Sequence, residues 1–221
     1  MDPAHEGPYL KRLLDTLMVR NAGVSASGLQ LELLNAAHNF YTQSLAWRAV
    51  LEVYMNLAAP AVTYPVPVPA GSEVCHIFGG TYKGRCIGNV NQTAWRTDIV
   101  EGDPLTVDGD IPGTVTVRPS VSDDTNPLYL TVALRPTALE GLDDAMVGRH
   151  FSALLAYCQA ALAAQPNKPW TSDKVALLAG REAMAHLARE RAAADQHYVH
   201  GQGVWRFPNF ATQRRLTRSG L

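Results

Sequence analysis

Leu10, Leu13, Leu14, Leu17 and Met18 recur at intervals of three and four, so the spacing predicts an amphipathic helix from about Pro8 to Arg20. Asn21-Ala22-Gly23 breaks it. A second stripe, Leu29, Leu33, Ala36, Ala37, Phe40, Ser44 and Trp47, predicts a helix to about Ala46, entered through a capping box of Ser27 and Gln30. Beyond Trp47 the pattern turns to strand formers at Ala49 to Met55, and the alternating prolines from Tyr64 to Pro69 cannot be helical. Further strands are predicted over Glu73 to Phe78, Arg85 to Val90, Gly113 to Arg118 and Leu128 to Leu134, separated by Gly, Pro, Asn and Asp clusters. Thr114-Val115-Thr116-Val117 and Tyr129-Leu130-Thr131-Val132 have the period of two expected of half-buried strands.

Helical spacing returns after Gly141, with Asp143 as cap and Val147, Phe151, Leu154, Cys158, Ala161 and Leu162 in one stripe. Pro166-Asn167-Lys168-Pro169 ends it. Thr171 or Ser172 then caps a last helix to about His197, in which Leu177, Leu178, Met184, Ala185 and Ala188 are expected to face inward and Arg181, Arg189, Glu190 and Arg191 to face water. The predicted class is α+β: an antiparallel helical bundle, an inserted antiparallel β domain and an extended C-terminal arm. Its divisions are 1–47 and 139–200 for the bundle, 48–138 for the insertion and 201–221 for the arm.

Composition fits this plan, since 47% hydrophobic residues over 221 positions supply a sizeable core. A net charge of −1 argues against a surface that wraps nucleic acid, so any contact with DNA is local or passive. Cys75, Cys86 and Cys158 are odd in number at unrelated spacings, and Met1 to Pro8 lacks the regions of a signal peptide; reduced thiols and cytoplasmic synthesis are expected. The apolar run Leu154 to Ala164 is too short and too interrupted for a membrane span.

Each candidate chemistry fails on spacing. Gly23-Val24-Ser25-Ala26-Ser27 departs from a nucleophile elbow at its last position, and helix capping explains its serines. Gly79-Gly80-Thr81-Tyr82-Lys83-Gly84 lacks the Lys-Ser/Thr ending of a phosphate loop and reads as a hairpin turn. His197 with His200, and Cys75-His76 with Cys86, complete no four-ligand pattern. Asp103, Asp108 and Asp110 lack the order of a calcium loop, and Glu182 with Glu190 reads as a solvated face. No catalytic residue, cofactor or metal is therefore expected. Two rival readings stay open: a hydrolase or metal enzyme using Cys75, His76 or His150, and a carbohydrate-binding β module using Tyr82, Trp95 and Tyr129.

One feature lacks a private core. Trp205, Arg206, Phe207 and Phe210, followed by Arg214, Arg215 and Arg218, lie on a segment without periodicity. Either the aromatics fold back to cap their own helices, or they form an arm that anchors on a partner, Trp and Arg being frequent interface hot spots.

Several stretches together resemble the head-to-tail connector (adaptor) proteins of tailed bacteriophages, similar in plan to the tail tubular proteins of short-tailed phages. They are Thr42-Gln43-Ser44-Leu45-Ala46-Trp47-Arg48, Tyr64-Pro65-Val66-Pro67, Val115-Thr116-Val117-Arg118-Pro119, Leu130-Thr131-Val132-Ala133-Leu134-Arg135-Pro136 and the helical pair through Lys168-Pro169-Trp170. The resemblance covers about Leu29 to Phe210 as an order of elements. It implies a structural virion protein at the head-tail junction, in a homo-oligomeric ring of about twelve copies docked on the portal protein and joined to downstream tail or nozzle proteins. Double-stranded DNA would pass through the ring, no membrane is involved, and the segment from Gly201 would be the portal-docking arm. Arg189 and Arg191 on the last helix are candidate ring-interface residues. The chain departs from the family in lacking a strongly acidic stretch to line a DNA channel.

Overall fold

The first leucine stripe forms α1 (Pro8–Arg20) in a computed structural model that describes residues 7–55, 63–89, 106–108, 113–118 and 126–202. Leu10, Leu13, Leu14 and Leu17 are buried along it, whereas Met18 is exposed. At its N-terminus Gly7 has no side chain to offer, and Asp144, far along the chain, accepts from the Tyr9 and Leu10 amides at 3.0 and 2.9 Å. α2 (Ala26–Ser44) is capped by Ser25, whose Oγ accepts from Gly28 N at 3.2 Å, so the predicted box of Ser27 and Gln30 is not the cap used. Leu45 ends α2 in the left-handed region, at φ 54°.

Among the described residues seven strands follow: β1 (Arg48–Val53), β2 (Thr63–Pro65), β3 (Ser72–Tyr82), β4 (Arg85–Asn89), β5 (Thr106–Asp108), β6 (Thr114–Arg118) and β7 (Leu128–Pro136). They form one sheet in the order β1-β7-β3-β4-β5-β6-β2. Every neighbouring pair is antiparallel except β4–β5, which is parallel and corrects the expectation of a wholly antiparallel β region. Residues 90–105 between those two strands are long enough for the return that parallel pairing requires. The β3–β4 connection is a tight hairpin, with Lys83 and Gly84 both at positive φ, while Gly79 and Gly80 lie inside β3.

A single predicted helix after Gly141 is two in the structure, α3 (Asp144–Arg149) and α4 (Phe151–Ala163), broken at His150. Asp143 caps α3 as predicted, its Oδ1 accepting from Ala145 N at 3.1 Å. α5 (Asp173–Gln202) then packs on α4 and α2 with the opposite face to the one predicted. Ala179, Ala183 and Ala194 are buried, while Leu177, Leu178 and Met184 are 57%, 55% and 59% exposed and Ala185 and Ala188 are exposed too. The line Ala176, Ala179, Gly180, Ala183 is slim enough for close approach to α4, and burying it leaves the leucines outside.

The chain is thus α+β. One hydrophobic cluster runs through helices and sheet, joining Leu13, Leu33, Phe40 and Leu154 to Leu51, Leu130, Val132 and Leu134. Among the described residues no helix is long and apolar enough to cross a membrane.

Candidate functional site

His150 is only 3% exposed, because the helix break drives its ring between α2 and α5. Its ring centroid lies 5.4 Å from that of Phe40 and 5.6 Å from that of Tyr41. Nδ1 is 3.3 Å from the Tyr41 hydroxyl, and Nε2 is 3.6 Å from a Glu190 carboxylate oxygen. The Tyr41 hydroxyl also donates to the Met146 carbonyl at 3.4 Å. Burial lowers the pKa of His150, with Glu190 opposing it, and burial raises that of Tyr41. With Nε2 protonated, the neutral ring points a proton at Glu190, and its Nδ1 lone pair competes with the Met146 carbonyl for the single proton of the Tyr41 hydroxyl. The cluster is a polar clasp across α2, the α3–α4 junction and α5, sealed from solvent on the histidine side. Glu190, predicted to face water, is half-buried because it serves this clasp.

A second cluster lies on the sheet. The Arg48 guanidinium sits 4.3 Å over the Phe78 ring and donates to the Ala194 carbonyl of α5 at 2.6 Å, with His76 edge-on to Phe78 at 4.8 Å. Burial and then Arg48 lower the His76 pKa. Cys75 donates to the Ala133 carbonyl at 3.4 Å, and burial pushes its pKa up to about 11, which holds it as a thiol. The charges acting on Cys75 are Arg135 and Glu73, His76 lies with Arg48 and Phe78, and His150 belongs to the clasp, so the three are not brought together in one site. Cys86 is exposed on β4, and among the described residues no three His, Cys, Asp or Glu side chains group to hold a metal ion.

Of the candidate carbohydrate platform, Tyr82 is 2% exposed beneath Lys83, whose ammonium lies 5.1 Å from the ring centroid. Its side chain is buried in the core, because the register shift between Ile77 and Gly79 reverses the alternation of β3, so it offers no face to a sugar. Tyr129 is exposed on β7, and Trp95 lies outside the described residues. Asp103 and Asp110 also lie outside them, and His197 and His200 are described only as backbone of α5.

Trp205, Arg206, Phe207, Phe210, Arg214, Arg215 and Arg218 all lie outside the described residues, whereas Gly201 and Gln202 continue α5. Arg189 and Arg191 are exposed on α5, continuing the apolar line of its outer face. That face is what the sequence reading missed. The signal was present in the equally periodic Ala-Gly line, which competes with the leucines for the buried side. Compared with known proteins, the chain matches no family model and no curated protein.

Proposed function

We propose that this chain is a structural virion protein, a head-to-tail adaptor that assembles as a ring on the portal, joins it to tail or nozzle proteins and leaves a passage for DNA. The proposal carries the connector resemblance forward and takes the helices as one antiparallel bundle with the β region inserted into it. The supporting observation is the outer face of α5, where Leu177, Leu178 and Met184 stand exposed among arginines on a well-packed body. A protein whose work is assembly has use for such a face, since apolar side chains rimmed by charge are the common form of a protein interface. Arg189 and Arg191 are placed to act in the contact between ring neighbours. Synthesis takes place in the host cytoplasm, and the working location is the head-tail junction of the virion.

The test is the arm. Removing residues 203–221 leaves the buried stripes of the described residues intact, so the truncated chain should keep its helical content and melting temperature yet fail to decorate purified portals. Replacing Trp205, Phe207 and Phe210 singly should cost roughly 2 to 4 kcal/mol per lost anchor, an effect that repetition round a ring partly hides. Normal decoration by the truncated chain refutes the docking arm, and unfolding of its body favours the capping alternative.

A further inference from the structure

We infer that the solvent face of the β1–β7 pair, at Val50, Glu52, Tyr54 and Tyr129, is the seat of this chain's own C-terminal segment, residues 203–221, in the free protein. Register fixes the face. Val50 lies opposite Thr131 and Glu52 opposite Tyr129, and directly opposed residues of antiparallel strands point to the same side. The intervening Leu51, Val53, Leu130 and Val132 are buried on the other side, in the core. Val50, Tyr54 and Tyr129 are left exposed, and the Tyr54 hydroxyl donates to Glu52 Oε1 at 2.9 Å, which holds a carboxylate among them. Small residues continue the face, since β3 sets Gly79 opposite Thr131 and Thr81 opposite Tyr129. The patch is therefore apolar, aromatic and anionic.

α5 delivers the chain to this face. Three contacts in rising chain order, Glu32 with Gln165, Tyr41 through His150 with Glu190, and Arg48 with the Ala194 carbonyl, carry α5 alongside α2 and in the same sense toward β1. Arg48 shares the side of β1 that bears Val50 and Glu52, and its guanidinium lies over Phe78 there. Beyond Ala194 the helix runs on to Gln202, about 12 Å at helical rise, while Arg48 to Glu52 spans about 13 Å of strand. On that heading residues 203–221 start about level with Glu52 and Tyr129. They bring Trp205, Phe207 and Phe210 together with Arg206, Arg214, Arg215 and Arg218 and no Asp or Glu, a set that suits tyrosine rings and a carboxylate. The outer face of α5 is the poorer seat for so basic a segment, because Arg181, Arg189 and Arg191 are exposed on that helix. Attachment to α5 makes the encounter intramolecular, so a weak contact is populated, an advantage that a second copy lacks.

The experiment uses the full-length chain with a benzophenone amino acid in place of Trp205 or Phe207. Irradiation should join it to β1 or β7 of the same chain, at Val50 to Tyr54 or at Tyr129, as mass spectrometry of the single-chain product will show. Trypsin reads the same contact without a label, since Arg206, Arg214, Arg215 and Arg218 are its cleavage points in the segment. Glu52→Lys with Tyr129→Ser should be cut there about fourfold faster than the wild type, the factor for freeing an arm seated three-quarters of the time. Fourfold corresponds to about 0.8 kcal/mol, so the body melts within about three degrees of the wild type when the arm is lost. Trp205→Ser with Phe207→Ser should give the same gain, and the two pairs combined should give no more than either. Crosslinks confined to the helices, crosslinks that join two chains, or equal cleavage of the wild type and both paired variants overturns the inference. No portal enters these measurements, so the adaptor reading stands or falls separately.

Discussion

Tyr157 packs against Phe40 with ring centroids 5.7 Å apart, and its buried hydroxyl finds no partner among the described residues. A buried unpaired hydroxyl carries its desolvation cost without return. Tyr157→Phe should therefore stabilise the fold by about 1 kcal/mol, seen as a higher denaturation midpoint at unchanged slope. The histidines give the chain a pH profile. His150 and His76 both have pKa values held by burial below the ordinary 6.5, so the unfolded chain takes up protons first as pH falls. Their contribution is complete above about pH 6.5 and is lost between that value and their lower folded values. The melting temperature should fall as pH drops below about 6.5, and a His76→Gln, His150→Gln pair should flatten that fall relative to its own value at pH 8. An unaltered pH slope in the double variant would refute the assignment.

Among the elements, α1 depends on a residue it does not contain. Asp144 Oδ1 receives two amides of its first turn from 135 residues away, and Gly7 leaves room for that carboxylate, whose atoms a Cβ there would strike. Asp144→Ala should cost roughly 1 to 2 kcal/mol, and Asp144→Asn should recover most of it, as urea titration of the three proteins will show. This cap also marks where local reading stops. The bounds of α1 were legible because Pro8 and the Asn21-Ala22-Gly23 break are local signals, and the same holds for Asp143 at α3. The break at His150 was not legible, because Tyr41 and Glu190, which receive its ring, are distant in sequence. On α5 two periodic faces competed, and the choice was made by the space available beside α4 rather than by hydrophobicity. The clasp at His150 was half legible: the histidine was singled out, but as a catalytic candidate, and Glu190 was assigned to water.

At the scale of the whole molecule, both ends of the chain contribute helices to a single core, and the sheet arises from the middle. β1 is joined to β3 only through β7, which pairs with β1 over Arg48 to Val53 on one side and with β3 from Ser72 to Thr81 on the other. The strand at the hub is also the last of the seven in chain order. On the ribosome this sets a waiting time. α1 and α2 emerge early, with a short turn between them, but β1 meets its partner only once Leu128 to Pro136 have left the exit tunnel. At ordinary elongation rates that delay is on the order of ten seconds. Through that interval the strand formers Val50, Leu51 and Val53 are held by no neighbour in the sheet, so the yield of native protein depends on how well the cell shields a nascent chain that cannot complete its sheet until β7 arrives.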